Sequence, residues 1–229
     1  MTKPPSDAPR PTLLFAHGWA LDRSMWSALR VALPAWPQTA SDAGYFGDAR
    51  HAEHQGPVIV VGHSLGFLQA LSYLPPDCVG LVAINGFTRF CAAPDYEDGV
   101  PNRLVDRMLS RLPTHTHDVV QAFRTRCDLD MPPASPHPEP LLHDLKLLRH
   151  ADGRQAIAAS ALPLLVLAGR CDTVVSPAMT RASFAGSRHA RVFWHDEAGH
   201  MLPASHPEWC ARHIDEFVTA VIGPHHRLY

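Results

Sequence analysis

The 229-residue chain sets 20 Lys and Arg against 22 Asp and Glu, a formal charge of −2 with histidine neutral. It holds no run of five or six like charges, so there is no basic field to meet a phosphate backbone, and no nucleic-acid partner is expected. This length buries a full core but is short for two, so one domain over residues 1–229 is expected, carrying an insertion.

In chain order, Met1–Pro11 is polar and proline-rich, without the apolar run a secretory signal needs. No stretch approaches the roughly 18 apolar residues of a membrane span. Thr12–Ala16 is the first of four short, continuous apolar runs, followed by Pro57–Val61, Val79–Ile84 and Pro163–Ala168. Each is bounded by Gly, Pro or polar residues, the pattern of strands buried on both faces of a parallel sheet. Helical patterns at Phe67–Leu74 and Ala178–Ala185 follow the second and fourth runs; a further strand is expected at Ala190–His195, and Pro207–Ile222 reads as a closing amphipathic helix. The alternation defines βαβ units and an α/β fold with a mostly parallel sheet flanked by helices.

From about Phe87 to Ser160 this rhythm breaks. Three or four helical patterns follow one another without a strand, together with the proline-rich Met131–Pro140. In Pro101–Leu112 the residues Leu104, Val105, Met108, Leu109 and Leu112 share one helical face, with Pro101 near the first helical position, where its missing N–H is harmless. Residues 87–160 are expected to form a helical cap over the sheet.

Gly62-His63-Ser64-Leu65-Gly66 directly follows the strand Pro57–Val61 and precedes a helix. That placement is the nucleophile elbow: a sharp strand-to-helix turn whose strained serine tolerates only glycine two residues to either side. The Leu65 amide then lies at a helix N-terminus, where it can meet charge developing on a carbonyl oxygen. His17-Gly18-Trp19 follows the first strand and offers the Trp19 backbone N–H as the second donor, with the Trp19 indole lining the pocket. Trp19 also fits a plain packing role, and His17 reads as a loop hydrogen-bonder.

A serine hydroxyl needs a base, and the base needs an acid to fix its tautomer. Gly169-Arg170-Cys171-Asp172 follows the fourth run and Ala198-Gly199-His200 follows the last strand, so Ser64, Asp172 and His200 occur in the order this architecture requires. Asp196, four residues before His200, is the rival acid. Sixteen histidines raise a metal reading, but His115/His117 and His225/His226 stand in loop-like or terminal sequence without converging carboxylates. No metal and no cofactor are expected. Cys78, Cys91, Cys127, Cys171 and Cys210 are odd in number, scattered and free of C-x-x-C spacing, which predicts reduced thiols in a cytoplasmic protein.

On these residues the chain resembles the α/β-hydrolase superfamily from His17 to His200. Within it the chain resembles the pimeloyl-acyl carrier protein methyl ester esterases of biotin synthesis, through His17-Gly18-Trp19 with Leu21 and Trp26, Gly62–Gly66, Leu81-Val82-Ala83-Ile84, and Gly199-His200 with Ser205-His206-Pro207. The resemblance implies hydrolysis of a methyl ester at the far end of a carrier-bound acyl chain, with Trp19, Leu65 and Phe123 touching substrate and cap arginines touching the acidic carrier protein. Dehalogenases and epoxide hydrolases of this architecture use aspartate at the elbow, so Ser64 implies an acyl-enzyme. Arg103, Arg107 and Arg111 form an i, i+4, i+8 row, followed by Arg124 and Arg126. The five stand against Asp106 and Asp118, a local net charge of +3 that suits an acidic partner. The same row also fits a plain solvated face. Ser41–Gly47 and Asn85–Arg89 depart from the family pattern. A monomer is expected, and two alternatives stay open: a general short-chain carboxylesterase or thioesterase, and a silent hydrolase fold that only binds a ligand.

Overall fold

A computed structural model describes residues 10–223. His225 and His226, and most of the Met1–Pro11 segment, lie outside the described residues. The strands are β1 (Thr12–Ala16), β2 (Gln38–Ala40), β3 (Val58–His63), β4 (Cys78–Ile84), β5 (Leu164–Gly169) and β6 (Ala190–His195). They form one sheet in the order β2-β1-β3-β4-β5-β6, with every neighbouring pair parallel. All five expected strands are present. The addition is β2, an edge strand of three residues, Gln-Thr-Ala, whose half-exposed pattern left no apolar run to read.

Strand alternation sorts the core into two layers. Leu13, Phe15, Ile59, Val61, Val82 and Ile84 point to one face, covered by α1 (Ser27–Val31) and the later closing helix. Val60, Leu81, Ala83 and Val166 point to the other and meet Phe67 of α2 (Leu65–Ser72). In β3 and β5 all six residues are buried, which is why these two strands read as unbroken apolar runs.

Between β4 and β5 the chain forms α3 (Asn102–Arg111), α4 (Thr116–Arg126), α5 (Pro138–His150) and α6 (Arg154–Ala159). Val105, Leu112, Val120, Leu141 and Leu145 of this insertion pack against Trp19, Tyr45 and Leu65, residues of the loops and turn at the carboxyl ends of the strands. Leu104, expected on the apolar face of α3, is 41% exposed. The neck of the insertion is closed: Gly153 N–H donates to Thr88 O at 2.6 Å, and Arg89 pairs with Asp152 at 2.7 Å. The fold finishes with α7 (Pro177–Phe184), the short α8 (Leu202–Ser205) and α9 (Pro207–Ile222). No helix among the described residues is long and apolar enough to cross a membrane.

Candidate active site

Ser64 stands at the N-cap of α2 with φ 53° and ψ −123°, a left-handed backbone that costs a non-glycine residue about 1–3 kcal/mol. Its neighbours explain the strain. A Cβ on Gly62 would collide with the Phe67 backbone, and one on Gly66 with the Ala16 carbonyl, so the elbow closes only with glycine at both positions. Gly18 packs over the turn from the other side: a Cβ there would lie 3.0 Å from Ser64 Cβ. The loop after β1 therefore brings Trp19 beside the serine.

Asp172 follows β5 and is buried, with its side chain fully enclosed. Its Oδ2 lies 2.8 Å from His200 Nδ1, while Oδ1 accepts the N–H groups of Val174 and Val175 at 2.7 and 2.8 Å. A carboxylate facing Nδ1 puts the ring proton there and leaves the Nε2 lone pair free. Nε2 is buried and has no hydrogen-bond partner among the described residues. Asp196 is turned away: it accepts from Arg170 at 2.7 Å, and its side chain is 84% exposed.

Two residues that sequence reasoning did not single out brace this histidine. Asn85, at the exit of β4, donates through Nδ2 to Gly199 O at 2.9 Å and His200 O at 2.7 Å, and its Oδ1 accepts Gly169 N–H at 2.9 Å. One buried amide thus ties the loop carrying the acid to the loop carrying the base. Its φ of 44° explains the unusual strand exit, since Asn adopts this region more readily than most residues. His63 is fully buried, donates through Nε2 to His200 O at 2.9 Å, and has its ring centre 4.8 Å from that of His200. His17 bonds Gly18 O through Nδ1 and accepts the Ala43 N–H at Nε2, the loop-bonding role expected of it.

Burial, reinforced by His200, pushes the His63 pKa well below its ordinary value. The folded protein keeps this ring neutral while the unfolded chain protonates it below about pH 6.5, so stability is lost as pH falls through that value. Between about pH 7 and 5.5 the wild type is expected to lose on the order of 1 kcal/mol more than His63→Gln in urea unfolding. Equal losses in the two proteins would show that another group titrates.

Trp19 and Phe123 meet edge to face, with ring centres 5.1 Å apart. Both line a cavity of about 280 Å³ between the insertion and the loop after Asp172, together with Phe90, Val105, Leu145 and Met179; Arg126 stands on its wall. A larger groove of about 800 Å³ opens between the chain after β2 and α2; none of Ser64, Asp172 or His200 lines either space, and the smaller one is tied to the site through Trp19 and through Val174, whose N–H binds Asp172. Arg103, Arg107, Arg111 and Arg126 are exposed. Arg124 corrects the expected set: it is 9% exposed and turned inward, donating to Ala20 O at 2.8 Å and Asp130 O at 2.7 Å. Its place on α4 puts it one position off the solvent face, too deep to meet a partner protein. Among the described residues no cluster of three His, Cys, Asp or Glu could hold a metal.

A parallel α/β sheet with a serine on a strained strand-to-helix turn, and a histidine–carboxylate pair on the loops beyond the next strands, defines a hydrolase scaffold. The alpha/beta hydrolase family model matches residues 13–213, and the chain belongs to that family. It is 27% identical over 237 residues to the pimeloyl-[acyl-carrier protein] methyl ester esterase of Neisseria meningitidis serogroup C, covering 90% of this chain and 92% of that protein. The protein of the same name from Xanthomonas oryzae pv. oryzae is 27% identical over 243 residues, covering 92% and 96%. These relatives uphold the resemblance read from the motifs. Among solved structures, the bromoperoxidase from Bacillus anthracis superposes with a TM-score of 0.79 at 16% identity, over 93% of this chain and 92% of that one, a likeness of fold alone.

Proposed function

We propose that the chain is a serine carboxylesterase of one domain, whose insertion caps the site, and that it hydrolyses pimeloyl-acyl carrier protein methyl ester in biotin synthesis in the cytoplasm. The observation that carries the reading is the buried Asp172–His200 pair, which leaves the Nε2 lone pair unpartnered in the loop cluster that holds the strained Ser64. Ser64 Oγ attacks the ester carbonyl as His200 Nε2 takes its proton. The Leu65 and Trp19 backbone N–H groups hold the oxyanion, and His200 returns the proton to the departing methoxide, releasing methanol. Water, activated by the same His200, then cleaves the acyl-enzyme and frees both the carboxylate and Ser64.

The names of the two relatives support the substrate, and the cavity lined by Trp19 and Val174, neighbours of the Ser64 turn and of Asp172, suits its size. At roughly 30 Å³ per water-sized group, about 280 Å³ holds about nine non-hydrogen atoms, the size of a medium acyl chain. Arg126 lines the cavity and Arg103, Arg107 and Arg111 are exposed on α3, whose Leu104, Val105 and Met108 also line it, positive charge suited to an acidic carrier. The test is hydrolysis of pimeloyl-acyl carrier protein methyl ester beside p-nitrophenyl acetate and butyrate. Strong preference for the carrier-bound ester is expected. Activity confined to the small esters would move the function to a general carboxylesterase, and no activity on any ester would favour a silent binding fold. Reversing Arg107 and Arg111 to Glu is expected to raise KM for the carrier-bound ester while leaving p-nitrophenyl butyrate hydrolysis unchanged. Equal loss on both substrates would mean damage to α3 rather than lost docking.

A further inference from the structure

We propose that Arg124 is a positioning residue that holds the oxyanion loop in its working geometry, so that the insertion sets the rate of the chemical step and not only access to the site. The inference rests on the serine-esterase reading above. Trp19, whose N–H is the proposed donor, is pinned on three sides. Gly18 packs against Ser64 Cβ, the Trp19 indole donates to Leu141 O of α5 at 2.9 Å, and the next carbonyl, that of Ala20, accepts from Arg124 of α4 at 2.8 Å. Two of these three ties come from the insertion.

The third tie bears on the least relaxed point of the loop. Ala20 is fully buried with φ 55°, a left-handed backbone that a Cβ disfavours and that persists only where its surroundings hold it. Among the described residues both polar partners of Arg124 are main-chain carbonyls, Ala20 O and Asp130 O, bridging the oxyanion loop to the segment after α4. The guanidinium also lies 5.5 Å from the Phe46 ring centre, over the loop that follows β2. A planar fork with fixed donor directions suits this bridging, whereas the point charge of a lysine satisfies one carbonyl at a time. Removing the fork frees Ala20 to relax and carries the Trp19 N–H away from the oxyanion position.

The test uses the full chain and p-nitrophenyl butyrate, with Arg124→Met, Arg124→Lys and Ser64→Ala assayed together for kcat, KM and inhibition by a butyl boronic acid, whose tetrahedral adduct occupies the oxyanion site. Arg124→Met is expected to lower kcat by about 10²-fold, the scale of a misplaced catalytic group. KM should stay near wild type and boronate affinity should fall in step with kcat, because only the tetrahedral state uses the displaced donor. Arg124→Lys should lose less. A folded Arg124→Met with wild-type kcat, or a loss confined to KM with boronate affinity intact, overturns the proposal. Should Arg124→Met fail to fold by circular dichroism, the folded lysine variant decides: lower kcat and weaker boronate binding at unchanged KM support the clamp, and wild-type values overturn it. Wild-type turnover by Ser64→Ala would instead overturn the serine-esterase reading itself.

Discussion

Ser64→Ala is expected to lower ester turnover by roughly 10⁴-fold or more with thermal unfolding little changed, and to abolish labelling by a fluorophosphonate. The fold should survive because the elbow is enforced by Gly62, Gly66 and Gly18 around it, and alanine occupies the same backbone. His200→Ala should lose a similar factor, and the double variant little more, since a nucleophile without its base is as disabled as a base without its nucleophile. Retained turnover in either single variant would sink the assignment of these roles.

The second large effect is expected from Asp172→Asn, about 10⁴-fold in kcat at neutral pH. The reason lies in the hydrogen bonds of the carboxylate. Oδ1 accepts two backbone N–H groups, from Val174 and Val175, so an asparagine must keep its carbonyl oxygen there and present its NH₂ to His200 Nδ1. An amide donor facing Nδ1 moves the ring proton to Nε2, and the nitrogen that should accept the serine proton is already protonated. Packing is preserved, so the stability change should be far smaller than the rate change. Near-wild-type kcat in Asp172→Asn would mean that the acid comes from elsewhere, Asp196 being the residue to substitute next.

The strands that read most clearly from composition are those buried on both faces, β3 and β5 above all, because burial on two sides leaves no polar alternation. β2 escaped notice because an edge strand of Gln-Thr-Ala needs only its neighbour's hydrogen bonds. The positions of Ser64, Asp172 and His200 after strand ends were legible from order alone, since each follows an expected strand. Asn85, His63 and Arg124 could not be read that way, because each acts through a main-chain carbonyl far away in the chain, and a carbonyl leaves no mark in the sequence. The one local sign was Asn85 at a strand exit that departs from the family pattern. Arg124 was misread for a related reason: spacing groups it with the solvent-facing arginines, and only the packing of α4 turns it inward.

The closed neck of the insertion bears on how such a scaffold changes over evolutionary time. Thr88 and Gly153, and Arg89 and Asp152, already touch, so everything between them is an excursion that returns to its starting point. Doubling the length of such an excursion adds only about 0.6 kcal/mol of closure entropy, and the β4–β5 pairing beneath it is made by Leu81–Ile84 and Leu164–Leu167, outside the excursion. Exchanging residues 90–151 as a unit would change the lining of the cavity beside Trp19 and the exposed arginine row of α3 together. On the clamp proposed for Arg124, a newly acquired segment would also have to supply a group to hold the Ala20 carbonyl.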